Sequence, residues 1–437
     1  MKVVRREFWK NVLPSMIAFA FTGIYAIVDG FFVGRNVGDA GLAAISMAYP
    51  LVALIQAAGS GLGMAGAIQI AINKGKKDEQ EERRYLGNAI ILLAVAGIVL
   101  MAGLSLAHIR ILEMFGATGE ILSYAGIYIK IIAAGAMLQV FSTGMVPLIR
   151  NYDGAMTAMC AMVAGFVTNI IFDWYFVSIK GYGIAGAAAA TLIGQMVTVV
   201  PCMVYLIVKV RLMRYAIFKP AANTIKYLAL IAISPFGLTL SPNIVIIIIN
   251  KSAIAYGGEL AVSCYAVVSY VICVAQLLMQ GIGDGAQPLI GRYYGSSNKE
   301  EMLHVRRMAY RFGGGVMLGC VILLYLTRSR MAGVFGVSES VEKLYGTVIL
   351  YFAAGLIFAA FLRVTTSYFY AVEQNLEAYV LIYGEPLLLS LCMAFLFPKI
   401  WGLAGVWTAP AFTQCCLALV GLILLKMLDK RMLGKVK

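Results

Sequence analysis

Residues 167–191, VTNIIFDWYFVSIKGYGIAGAAAAT, set an amide, a carboxylate and a hydroxyl inside two otherwise apolar stretches joined by a glycine-rich turn. Ionisable groups are costly in a bilayer and concentrate where a function needs them. Asn169 and Asp173 are four residues apart and share one face of a helix, and Thr191 returns on the next stretch, beyond the glycines at 181, 183 and 186. A second carboxylate, Asp29 in TGIYAIVDGFFVG, is embedded in the first hydrophobic run. The expectation is that Asp29, Asn169, Asp173 and Thr191 form one intramembrane cation site, for a proton or for Na+ as a bound metal, and that the rest of the chain turns its occupancy into movement of a substrate.

The surrounding chain supports this setting. Its 437 residues are 61% hydrophobic and 13% charged, against roughly half apolar and a quarter charged in soluble domains. This is the composition of an all-α polytopic membrane protein. With about 20 apolar residues needed per crossing, twelve spans are expected. The seventh, interrupted by Pro235 and Pro242, and the short ninth have the least distinct limits. The formal charge of +14 does not argue for nucleic acid, because the Lys and Arg sit in short runs between spans rather than on a solvated basic face. With the N-terminus inside, the cytoplasmic regions hold 25 of the 35 Lys and Arg, and this asymmetry places both termini in the cytoplasm. The eight cysteines lie in apolar stretches without metal-ligand spacing and read as small packing residues. The basic N-terminus runs into a full-length span without a cleavage site, so the first span is expected to be retained.

Two halves repeat with an offset near 220 residues. GSGLGMAGAIQIAINKG matches QGIGDGAQPLIGRYYG, GIAGAAAAT from Gly183 falls on GLAGVWTAP from Gly402, and Pro14 falls on Pro235. The expected organisation is a six-helix lobe over 1–208, a basic cytoplasmic linker over 209–228 and a second six-helix lobe over 229–437. Six spans per half is an even number, so the halves are parallel repeats about an axis along the membrane normal, with an amphipathic cleft between them. The repeat fails where the polar residues stand: Asp29 falls opposite Asn250, Asn169 opposite Leu389, Asp173 opposite Met393 and Thr191 opposite Pro410. At about 1.5 Å per residue, all four first-half groups fall in the outer half of the bilayer, as one shared site requires.

Candidate substrate-cleft residues are Tyr25, Gln56, Met64, Trp174, Asn250, Gln276, Met279, Gln280 and Arg363, on spans expected to border the cleft. Aromatic faces attract cations and methionine adapts to varied ligands. Lys130, Lys251, Arg363 and Glu385 are further ionisable groups within spans, with Arg363 and Glu385 able to pair. Asp153 and Glu373 sit at equivalent cytoplasmic helix ends, and Asp284 lies in the cytoplasm-facing half of the eighth span.

In VDGFFVGRNVGDAGLAAIS, PLIRNYDGAMTAM, NIIFD followed by GIAGAAAAT, GIGDGAQPLIGRYYG and GLAGVWTAP, in that order and spacing, the chain resembles the multidrug and toxic compound extrusion (MATE) family over nearly its whole length. The resemblance implies twelve helices in two six-helix lobes that form a V and rock between inward-open and outward-open states, exporting amphipathic, often cationic small molecules against entry of Na+ or H+. It implies a monomer in the bacterial plasma membrane, with no other cofactor. The Asp29, Asn169, Asp173 and Thr191 pattern is similar to the DNA-damage-inducible branch. Glu385 departs from many members, in which the eleventh span begins with an Arg-Gln pair. The competing reading is a flippase for a lipid-linked oligosaccharide or peptidoglycan precursor, which shares the two-lobe plan. A membrane enzyme is disfavoured: the two histidines, His108 and His304, lie in loops expected on opposite sides, and no nucleophile or metal motif accompanies them.

Overall fold

The computed structural model describes residues 2–335 and 337–434; within its helices a few side chains, that of Asp29 among them, lie outside what is described. Thirteen α-helices follow one another among those residues. They are α1 (Lys2–Val37), α2 (Asp39–Lys76), α3 (Glu79–Met114), α4 (Gly119–Ala134), α5 (Ala136–Arg150), α6 (Ala155–Asp173), α7 (Gly183–Val208), α8 (Leu212–Tyr215), α9 (Ala222–Gly295), α10 (Lys299–Thr327), α11 (Glu339–Ala371), α12 (Asn375–Leu391) and α13 (Phe397–Gly434). Eight of the described helices are each long and apolar enough to cross a bilayer, and the pair α4–α5, bent by 60° at Gly135, makes a ninth. The 74-residue α9 reverses at Gly258, where φ is 63°, and so supplies two crossings. With the 36 residues of α1 and α12 continued by a π-helical turn over Cys392–Leu396, the described elements account for twelve crossings. In a bilayer every backbone group must be satisfied within the chain, which leaves long helices as the solution for sequences this apolar.

Two boundaries differ from the sequence reading. The seventh crossing runs without a break through Pro235 and Pro242, and the reversal falls at Gly258. The fourth crossing is divided at Gly135. Neighbouring helices re-satisfy a proline's lost hydrogen bond in a membrane, whereas a left-handed backbone strongly favours glycine.

The internal repeat is written in the backbone. Left-handed residues recur in pairs at an offset of 219 or 220: Gly38 with Gly258, Lys77 with Ser297, Asp153 with Glu373, and Gly183 with Gly402. The π-helical turn at Trp174–Ile179 likewise has its counterpart at Cys392–Leu396. Each half therefore turns its chain at the same places.

The helices form two compact units, one of residues 1–240 with 291–299 and the other of 241–290 with 300–437. In the first, α2 is central, and Ile55, Ile68, Ile70 and Ile72 on it are fully buried. Close approach comes from glycine, because a methyl group on Gly63 would stand 2.2 Å from the Gly144 carbonyl oxygen and one on Gly75 only 2.0 Å from that of Arg292. In the second unit α11 and α13 pack together, and Arg306 donates two hydrogen bonds to Asp429, at 2.8 and 2.9 Å, while its guanidinium lies 4.7 Å over the Tyr368 ring.

Candidate functional site

The helices α6 and α7 form an antiparallel hairpin whose tight seam fixes which residues face each other. A methyl group on Gly165 would stand 2.7 Å from the Gly194 carbonyl oxygen, and one on Gly194 would stand 3.0 Å from the Asn169 Cβ. Thr198 Oγ1 crosses the same seam to the Ala161 carbonyl at 3.3 Å. Because the helices run in opposite directions, one turn onward along α6, from Asn169 to Asp173, corresponds to one turn back along α7, from Gly194 to Thr191. The register therefore brings Asn169, Asp173 and Thr191 within one helical turn of one another on one seam.

All three are withdrawn from solvent and lipid, with relative exposures of 2% for Asn169, 0% for Asp173 and 5% for Thr191. Neither Oδ1 nor Nδ2 of Asn169 has a hydrogen-bond partner among the described residues. An orphaned buried amide costs about 1–3 kcal/mol, a penalty that a ligand accepted at this position would offset. Thr191 Oγ1 donates to the Ala187 carbonyl at 3.1 Å, which leaves its lone pairs free to accept. Immediately after Asp173 the helix widens into the π-helical turn Trp174–Ile179, a local distortion frequent at functional sites.

The third wall is α1. Tyr25 stacks on Phe166 with ring centroids 5.3 Å apart, Val33 packs with Val177 and Ala187, and Asn36 Nδ2 donates to Ser178 Oγ at 3.0 Å. Asp29 lies one helical turn from both Tyr25 and Val33, so its backbone stands at the level of Asn169 and Asp173. Its side chain lies outside the described residues.

Oxygen donors from an amide, a carboxylate and a hydroxyl suit a hard cation, and a carboxylate in a low-dielectric seam equally suits a proton. The donor set fits either ion. Sequence reasoning did not find a neighbouring polar group. Gln139 on α5 is fully buried with both amide heteroatoms unpartnered among the described residues, and Ser142 donates to Gln195 of α7. The signal was present as glutamines within apolar runs.

The cleft candidates divide between the units. Tyr25, Gln56, Met64 and Trp174 belong to the first, where Met64 is buried on α2 and Trp174 is exposed at the π-helical turn. Asn250, Gln276, Met279, Gln280 and Arg363 belong to the second; there Met279 is buried, and Gln276 lines a cavity. No ion pair joins Arg363 to Glu385 among the described residues; Glu385 instead accepts a hydrogen bond from Gln414 at 3.4 Å. Asp284 is buried and accepts from the Tyr370 hydroxyl at 2.6 Å, which packs it between helices.

Comparison with known proteins follows this geometry. The family model described as MatE matches residues 14–175 and 231–393, one copy in each half. The multidrug export protein MepA of Staphylococcus saprophyticus is 22% identical over 429 residues, covering 96% of this chain and 93% of its own. MepA of Staphylococcus aureus strain MRSA252 is 22% identical over 423 residues with the same coverage. Among solved structures, an outward-facing multidrug resistance MATE family transporter of the MOP superfamily superposes with a TM-score of 0.91 at 23% identity, covering 99% of this chain and 97% of that one. A MATE protein in its straight conformation superposes with a TM-score of 0.92 at the same identity and coverage.

Proposed function

Because the chain belongs to the MatE family, and so is a membrane transporter rather than an enzyme, we propose that it exports structurally varied amphipathic small molecules, often cationic, by Na+ or H+ antiport through alternating access. The observation that carries the coupling is the buried set Asn169, Asp173 and Thr191 on the α6–α7 seam, with an amide that has no partner among the described residues. Export of many compounds, rather than of one lipid-linked precursor, is supported by the function in the names of the matched relatives. The asymmetry of the polar cluster, present in the first half alone, supports a place near the DNA-damage-inducible branch.

In this mechanism Asp173 and Asp29 hold the positive charge of the coupling ion, with Asn169 Oδ1 and Thr191 Oγ1 completing the oxygen set. A bound cation supplies the charge that neutralises these carboxylates. Neutral carboxylates remove the penalty on a drier seam, so α1 bends against α6 and reshapes the drug-binding surface. Drug and cation then oppose each other through the conformations they favour, a coupling that acts equally in both directions. Both termini lie in the cytoplasm, the protein sits in the bacterial plasma membrane, and one chain suffices as the working monomer.

Expression of Asp173→Asn in a pump-deficient bacterium tests the assignment. The expected outcome is loss of ethidium resistance at unchanged protein level. Wild-type resistance from that variant would refute it.

A further inference from the structure

Residues 209–226, KVRLMRYAIFKPAANTIK, join α7 to α9 within the first unit and carry five cations, Lys209, Arg211, Arg214, Lys219 and Lys226. No Asp or Glu occurs between Asp173 and Glu259. A linker this basic repels itself and extends, yet this one is fastened to α3. The Ile217 amide donates to the Arg83 carbonyl at 3.1 Å, and a methyl group on Gly87 would stand 2.2 Å from the Ile217 carbonyl oxygen. Asn88, fully buried, holds the following residues with both ends of its amide: Nδ2 donates to the Lys219 carbonyl and Oδ1 accepts from the Ala221 amide, each at 3.2 Å. Leu212 points inward at 3% exposure. The linker is therefore a strap of fixed course, whose backbone presents its cations from fixed places.

All five cationic side chains are exposed, and among the described residues no ion pair or side-chain hydrogen bond engages them. The acids that open α3 are engaged on that helix: Asp78 accepts from the Glu81 amide at 3.1 Å, Glu79 pairs with Arg83, Glu81 pairs with Arg84 at 3.0 Å, and Glu82 is buried. Apolar side chains stand between the cations of the strap, Met213 being 74% exposed and Phe218 40%. Helix α7 runs into it through the exposed Ile207 and Val208, and α9 leaves it with Tyr227 and Leu230 exposed. Both helices are long and apolar enough to cross the bilayer, so the strap lies where their lipid-facing surface meets water.

We propose that the 209–226 strap is a docking surface for acidic phospholipids of the adjoining leaflet. Its cations take the headgroup phosphates, while Met213 and Phe218 enter the boundary between headgroups and acyl chains. Basic clusters placed directly beside a span attract anionic lipids, and the forked guanidiniums of Arg211 and Arg214 match a phosphate with two parallel N–H bonds. The apolar side chains decide between lipid and a soluble acidic partner. A lipid surface takes charge and apolar contact together, as interfacial segments with Lys or Arg beside Phe or Leu do. The inference stands on the membrane-spanning fold and this charge pattern, and is independent of the compound exported and of the coupling ion.

The test uses the full chain in nanodiscs of phosphatidylcholine and phosphatidylglycerol in equal parts, with a trace of one or the other lipid in photoactivatable form. Crosslinks to the 209–226 peptide are counted by mass spectrometry. Phosphatidylglycerol is expected to label the strap about tenfold more than phosphatidylcholine. The combined variant Arg211→Asn, Arg214→Gln and Lys219→Gln should bring the two lipids to near equality; Asn tolerates the left-handed backbone at 211, and the bonds from Asn88 go to backbone atoms. Arg330→Gln, in another exposed stretch, should keep the wild-type preference. Salt supplies a second reading that needs no variant: raising NaCl to about 1 M, where charges are screened beyond about 3 Å, should remove most of the preference in the wild type. Equal labelling by both lipids, a preference that survives in the folded combined variant, or one that ignores salt would overturn the proposal. Inorganic phosphate should compete no better than NaCl at the same ionic strength. Stronger competition would mean a site for free phosphate, and would overturn the lipid assignment.

Discussion

At the residue scale, Asn169 separates a ligand site from a packing contact. A merely structural amide would bond across the helix seam, yet both its heteroatoms lack a partner among the described residues. Asn169→Leu is therefore expected to keep or slightly raise the thermal midpoint while abolishing drug resistance, since it removes an orphaned polar group worth about 1–3 kcal/mol. A fall in stability with resistance intact would assign it to packing. Asp429 is the opposite case. It holds the Arg306 guanidinium through two bonds in a half-buried setting, so Asp429→Ala is expected to cost about 2 kcal/mol and lower the midpoint, read by a thermal melt in detergent. Residues such as these were legible in the sequence to different degrees. Asp173 and Asn169 announce themselves as polar groups four apart in an apolar run. Glu385 was visible as an ionisable residue in a span, but its partner was not: Gln414 reaches it from another helix, and one-dimensional spacing carries no such information.

At the element scale, glycine fixes how the helices meet. Gly75 and Gly295 face each other's strand of backbone within the first unit, and a methyl group on Gly295 would stand 1.9 Å from the Ile72 carbonyl oxygen. Gly295→Val is expected to separate α2 from the end of α9 at a cost of about 1–3 kcal/mol, with transport lost while membrane insertion persists. Efflux in vesicles with quantified protein checks this, and normal efflux would contradict it. The repeat that pairs Gly75 with Gly295 was readable from sequence because both halves need glycine at the same crossing. The 60° bend at Gly135 and the two π-helical turns were not. Such distortions depend on what packs against a helix, and the local residues, IIAAGAML and DWYFVSI, are compatible with straight helix. The prolines misled for the converse reason: Pro235 and Pro242 weaken a helix in water, but membrane packing absorbs them, and the chain turns instead at Gly258.

At the scale of the whole molecule, twelve crossings and a parallel repeat were legible because hydropathy and backbone-demanding glycines are properties of the chain itself. The uneven placing of polar residues between the halves was half legible. The loss of Asp29, Asn169, Asp173 and Thr191 equivalents in the second half reads directly, whereas the cavity lined by Gln276 and Glu385 emerges only from packing. The central claim is that occupancy of the first-half site by a cation drives export. It is tested most directly by ethidium efflux from proteoliposomes under separately imposed Na+ and pH gradients, comparing wild type with Asp29→Asn. Efflux driven by one of the two gradients and absent in the variant is the expected result, and it would also identify the coupling ion. Efflux by Asp29→Asn equal to wild type, or no response of the folded wild-type protein to either gradient, would contradict the account.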